Sequence, residues 1–199
     1  AVPHIPTPDN DSLNNNYLSR SSFPTTDYDW SLKIDHNISA RQNIAYSMWI
    51  QADVRTRWGV VPGPLDAGFI NDEVGRGLRL NYDFAITPTL FHHVGAGYGR
   101  RRSDFYPPAA SIGYDNANFY KMPNVTMGPG KASPSFRFAG MQELGGHWDI
   151  TIERGNTYNF VDSLTWITGN HTVKFGVDFR NYGYNVNYCL QCQGVFNRD

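Results

Sequence analysis

The chain has 199 residues, with 17 Lys+Arg against 18 Asp+Glu and a formal net charge of −1, so no basic balance points to nucleic acid as a partner. Aromatic residues make up 15% and charged residues only 18%, with 19 glycines and 12 tyrosines, the usage of a turn-rich, girdled β-barrel rather than a helical protein. No apolar run approaches the roughly 18 residues of a membrane helix, which excludes a helical span. A mean hydropathy of −0.48 leaves a barrel open, because wall residues alternate between lipid and lumen and the average cancels.

Residues 1–26 are rich in proline and contain the run Asn14-Asn15-Asn16, so they read as an extended or loop segment. From residue 27 the pattern changes to period two. Trp30, Leu32, Ile34 and Ile38 fall on one face, with Ser31, Lys33, Asp35 and Asn37 on the other. Ile44, Tyr46, Met48 and Ile50 repeat the even parity, so the hairpin 27–53 is expected to turn through an odd loop, Ala40-Arg41-Gln42, with Trp49 on the polar side. Residues 54–77 are glycine-rich with two prolines and read as a long loop. A second hairpin, 78–100, sets Leu80, Tyr82, Phe84 and Ile86 against Val94, Ala96 and Tyr98 across Thr87-Pro88-Thr89. Residues 101–147 read as a second long loop, with a short strand at Asn124–Met127 and an ascent to the next wall strand from Trp148.

The third hairpin, 148–186, has the clearest alternation. Tyr158, Phe160, Leu164 and Trp166 are even; Val173, Phe175, Val177 and Phe179 are odd; Gly169-Asn170 between them is a two-residue turn signal. Facing pairs must therefore sum to an odd number, with Trp166 opposite Val173, Leu164 opposite Phe175 and Asp162 opposite Val177. Asp162 has the parity of the apolar residues, so either a bulge turns it inward or that face does not meet lipid. Past Arg180 the apolar parity switches to Tyr182, Tyr184 and Val186, which calls for a bulge or an exit from the membrane. Residues 187–199 read as the start of another loop. Each arm runs about ten residues, the length of a tilted membrane strand.

The segment DSLTWITGNHTVKFGVDFR resembles the barrel strands of the Oar-like group of TonB-dependent outer-membrane receptors, where D-x-L-x-W-x-x-G-x-H-x-x-K-F-G recurs. DWSLKIDHNISARQNIAYSMWIQ at 29–51 resembles an earlier hairpin of that group, and Ile86–Arg100 is a looser match. The resemblance implies an all-β fold, an antiparallel up-and-down transmembrane barrel segment of at least six strands, with short periplasmic turns and long extracellular loops. It also implies a bacterial outer-membrane location, contact with outer-membrane lipid, uptake of a bulky ligand, and a plug domain with TonB-type energy coupling. The opening AVPHIPTPDND lacks a charged and an apolar signal region, and VFNRD lacks the closing aromatic of such barrels, so the chain is expected to be an internal piece of a longer protein. Two other readings stand beside this one: a passive pore or small complete barrel, and a soluble carbohydrate-binding β-sandwich.

The side chains give little chemistry. Cys189 and Cys192 form a lone C-x-x-C; without further ligands a local loop disulfide is the first reading, ahead of free thiols or a metal or redox site. His92-His93 on a strand point to opposite faces and cannot share a metal. Arg100, Arg101 and Arg102 form a charge run at the outer rim, either solvated or facing anions such as lipopolysaccharide. Together with the aromatics Trp58, Tyr106, Tyr114 and Tyr120 they are the candidate ligand contacts of the extracellular loops. No nucleophile with a base, phosphate-binding loop or paired carboxylates is readable, so neither enzymatic activity nor a cofactor or metal is expected.

Overall fold

The computed structural model describes residues 5–13, 15–61, 63–111, 121, 133–146, 149–191 and 194–198. Six long strands form one antiparallel sheet: β1 (Thr25–Ser39), β2 (Gln42–Arg57), β3 (Phe69–Thr87), β4 (Leu90–Tyr106), β6 (Asp149–Thr168) and β7 (His171–Leu190). Two short strands, β5 (Ser135–Phe138) and β8 (Val195–Arg198), pair in parallel beside it. The wall meanders in the order β1-β2-β3-β4-β6-β7 and is open, since β1 and β7 each have one partner. All three tight turns lie at one end of it; the connections β2–β3 and β4–β6 lie at the other.

The β6–β7 hairpin has the register that parity requires. Trp166 faces Val173, Leu164 faces Phe175, Phe160 faces Phe179 and Asp162 faces Val177 around Gly169-Asn170. Gly169 takes φ of 56°, which a side chain would resist. The other two turns differ in detail from the expected three-residue loops. Each is a two-residue turn preceded by a register shift, between Asn37 and Ser39 and between Ala85 and Thr87, which keeps the apolar parity even on both arms.

The expected loops 54–77 and 101–147 prove shorter at their strand ends. β2 runs to Arg57, β3 starts at Phe69 and β4 continues to Tyr106, so much of the glycine-rich sequence is strand. These glycines sit in a ladder where neighbouring side chains cover them, so they do not break it. β7 likewise runs past the expected limit to Leu190, and the expected loop 187–199 contains β8. The strand expected at Asn124–Met127 lies outside the described residues. No bulge interrupts β6–β7: pairing is continuous from Asp149↔Leu190 to Thr168↔His171. Tyr182, Tyr184, Val186 and Tyr188 therefore cross to the face opposite that of Phe179.

Burial decides against a soluble sandwich. Among the described residues only Val61, Leu65 and Ile150 are buried hydrophobics, whereas Phe175, Val177 and Phe179 are 55–59% exposed on a continuous apolar face. Each such side chain is worth about 1.5–3 kcal/mol when removed from water, and among the described residues no second sheet covers this face. What core there is sits among the connections. Asp66, fully buried, accepts from the amides of Gly59 (2.7 Å) and Gly68 (2.6 Å), and Gly145 donates to the Leu65 carbonyl at 2.9 Å. Burial pushes the Asp66 carboxyl upward against the pull of those two amides. The Phe136 and Phe196 rings stack at 5.3 Å across β5 and β8.

Candidate functional site

The polar face carries a trough whose floor is glycine. Gly75 and Gly77 of β3, Gly97 and Gly99 of β4 and Gly155 of β6 share this face, with Gly77 directly opposite Gly99. Trp49 of β2 lies across the first pair. A Cβ on Gly77 would come within 2.7 Å of the indole Nε1, and one on Gly75 within 3.0 Å of the ring. Gly97 and Gly99 stay bare, with nothing nearer than 3.6 Å to such a Cβ. Tyr182 and Tyr184 form the other bank, Tyr184 packing 3.5 Å from the Cβ position of Gly155. The groove between the banks holds about 530 Å³.

Charge is distributed along the trough. On the side of the tight turns, Lys33, Arg79 and Arg180 fall in one cross-strand row, held by Asp35 (2.9 Å), Asn81 (2.9 Å) and Asp178 (2.8 Å) respectively. Toward the other end, Asp27, Asp53, Glu73 and Glu153 share a row. Arg55 pairs with Asp53, and Arg101 donates to Glu73 at 2.9 Å. Burial acts to raise the Glu73 pKa; hydrogen bonds from Arg101, Asn71 and Ser103 outweigh it and hold the carboxyl below its ordinary value. Asp53 Oδ1 is buried and finds no hydrogen-bond partner among the described residues. Among the described residues no three His, Cys, Asp or Glu side chains gather as metal ligands. Stacking walls, a bare floor and opposite charges at the two ends suit an extended polar ligand or a packed protein segment better than bond-making chemistry.

The apolar face has its own order. Leu90 and Trp166 stand in one row near the tight turns, and eight residues farther along Tyr98 and Tyr158 meet with ring centroids 5.2 Å apart and tilted, close to the span of a tilted membrane strand. Between these rows, Asp162 stays on the apolar face, and His92 Nε2 meets its Oδ1 at 2.8 Å. Beyond the tyrosines the face becomes charged, with Arg76, Arg100, Arg102, Arg154, Asp72 and Asp104.

A family model described as an outer membrane beta barrel domain matches residues 1–199. The chain belongs to that family. No curated protein and no solved structure matches it. In an outer-membrane barrel wall the apolar face turns outward to lipid and the polar face inward, with short turns on the periplasmic side. The trough is therefore a lumen feature, and the rows from Trp166 to Tyr158 form the lipid belt. Asp162 resolves without a bulge: it meets lipid already hydrogen-bonded to His92.

The run Arg100-Arg101-Arg102 is divided between the two faces of the sheet. Arg101 faces the lumen and binds Glu73, while Arg100 and Arg102 face outward. Trp58 is exposed just past β2, and Tyr106 ends β4 on the outward side, its pKa raised by burial and by Asp72 and Asp104. Tyr114 and Tyr120 lie outside the described residues. Cys189, near the end of β7, is disulfide-bonded; Cys192 lies outside the described residues. His93 faces the lumen with its Nδ1 2.7 Å from Asp83. Sequence reasoning missed the trough. Its signal was the i, i+2 spacing of Gly75/Gly77 and Gly97/Gly99, in phase with Trp49's parity.

Proposed function

We propose that this barrel wall belongs to a TonB-dependent, Oar-like receptor that takes up a bulky ligand and acts without enzymatic chemistry of its own. The glycine floor carries the reading. A small barrel fills its interior with side chains from its own wall, whereas Gly97 and Gly99 leave a stretch of wall bare. A bare, aromatic-banked wall suits a wide lumen occupied by something other than the wall, and a plug domain is such an occupant. The motif resemblance at 29–51 and 162–180 points the same way. In this reading Trp49, Tyr182 and Tyr184 contact the plug or the passing ligand. Trp58, Tyr106 and the extracellular connections make first contact with ligand.

Electrical recording separates the two uses of such a wall. The full-length protein in a planar bilayer is expected to show no steady ion conductance, because a plug occludes the lumen, and to bind the periplasmic domain of a TonB-type energy transducer. Continuous conductance without any such binding would establish a passive pore and overturn the receptor reading.

A further inference from the structure

The outward face contains a like-charge pair that no described residue neutralises. Arg76 of β3 and Arg100 of β4 are direct cross-strand partners on the face that carries the lipid belt. Both are exposed, and neither makes a hydrogen bond or ion pair among the described residues. Like charges directly opposite one another destabilise a ladder. In the next outward row the chain handles the same problem differently: Arg102 and Arg154 are also opposite each other, but Asp72 binds Arg102 at 2.6 Å and Asp104 takes Arg154 through both carboxylate oxygens.

Position and donors both favour an anion at the unneutralised pair. It stands immediately beyond the Tyr98–Tyr158 ring pair, at the edge of the belt where lipid headgroups begin. Asn156 is Arg100's partner on β6, and its Oδ1 accepts from the Tyr98 hydroxyl at 2.9 Å. With its oxygen engaged there, Asn156 keeps its amide N–H groups as further donors in the row of Arg100. Arginine forks match phosphate oxygens in two-pronged geometry, and the outward patch of four arginines and two aspartates keeps a positive excess.

We propose that Arg76, Arg100 and Asn156 form a binding site for the phosphate of an anionic lipid in the outer leaflet, which fastens the wall at a fixed depth. The site depends on the outward orientation of this face and not on the uptake reading. A protein that binds lipid as described yet conducts as a passive pore would sink that reading alone.

The test uses delipidated full-length protein in neutral detergent, with bisphosphorylated lipid A and its dephosphorylated counterpart as probes in native mass spectrometry. Heat-modifiable electrophoretic mobility confirms that each variant is folded. The double variant R76Q/R100Q is expected to bind bisphosphorylated lipid A about tenfold or more weakly, as loss of charge-assisted hydrogen bonds implies, and dephosphorylated lipid to bind the parent equally poorly. The charge-preserving R76K/R100K should bind between the parent and R76Q/R100Q, since a lysine supplies the point charge but not the two-pronged fork. Undiminished binding by folded R76Q/R100Q, equal binding of the dephosphorylated lipid, or displacement of lipid A by millimolar inorganic phosphate would overturn the proposal, the last by showing a site for free phosphate.

Discussion

Replacing Gly176 by alanine is expected to destabilise the wall by about 3 kcal/mol, the upper end of the usual cost of overpacking. Gly176 sits on β7 directly opposite Ser163 on the lumen face. A Cβ there would fall far inside van der Waals contact of the Asp162 carbonyl oxygen, and 2.7 Å and 2.8 Å from Ser163 Cβ and Cα. Because the obstacles are mostly backbone, no rotamer change relieves them, and β6 and β7 must separate where the belt needs an unbroken ladder. Gly183 on the same strand is the internal control. Its nearest neighbour would be 3.9 Å from an added Cβ, so Gly183→Ala should change stability by less than about 0.5 kcal/mol. Urea unfolding of the full-length protein from lipid vesicles measures both; equal stability of the two variants would refute the close approach at Gly176.

Replacing His92 by alanine is expected to cost about 1–3 kcal/mol, the penalty of leaving a desolvated acceptor without its donor. Asp162 lies midway between the Trp166 and Tyr158 rows, facing lipid, where no water replaces the lost imidazole. The pair as a whole is a different matter. Exchanging both partners for apolar residues, as in His92→Leu with Asp162→Val, should be neutral or stabilising by about 1–4 kcal/mol, because it removes two polar groups from the lipid face together. The predicted order of stability is the double variant at or above the parent, with His92→Ala below both. A destabilised double variant alongside a normal His92→Ala would show that the pair does not face lipid.

Parity made the wall legible in the sequence. Once Trp166 and Phe175 must share a face, only an even loop at Gly169-Asn170 serves, and the register of twenty residue pairs follows. Parity also placed Trp49 on the polar side. Glycine obscured part of the rest: in a single sequence it signals a loop, so Gly75 and Gly77 fall in the expected connection 54–77, although the other floor glycines, Gly97, Gly99 and Gly155, fall within the expected hairpins. The partner of Asp162 was hidden for another reason. His92 lies 70 residues away in sequence, and a diagonal contact between β4 and β6 depends on which strands adjoin, which local pattern does not encode. The same holds for the Arg100–Arg102 run, whose members divide between faces only once β4 is known to continue to Tyr106.

The claim on which the rest depends is that one face of these strands meets lipid and the other a water-filled or protein-filled lumen. Spin labels placed singly at residues 157–166 and 172–181 of the full-length protein in bilayers, read for collisions with oxygen and with a water-soluble nickel complex, test it directly. Oxygen accessibility is predicted to alternate with period two, peaking at Tyr158, Phe160, Leu164 and Trp166 and at Val173, Phe175, Val177 and Phe179. The nickel complex should peak, if anywhere, at the residues between. Uniformly high nickel accessibility on both faces, or an oxygen profile without period two, would contradict a barrel wall.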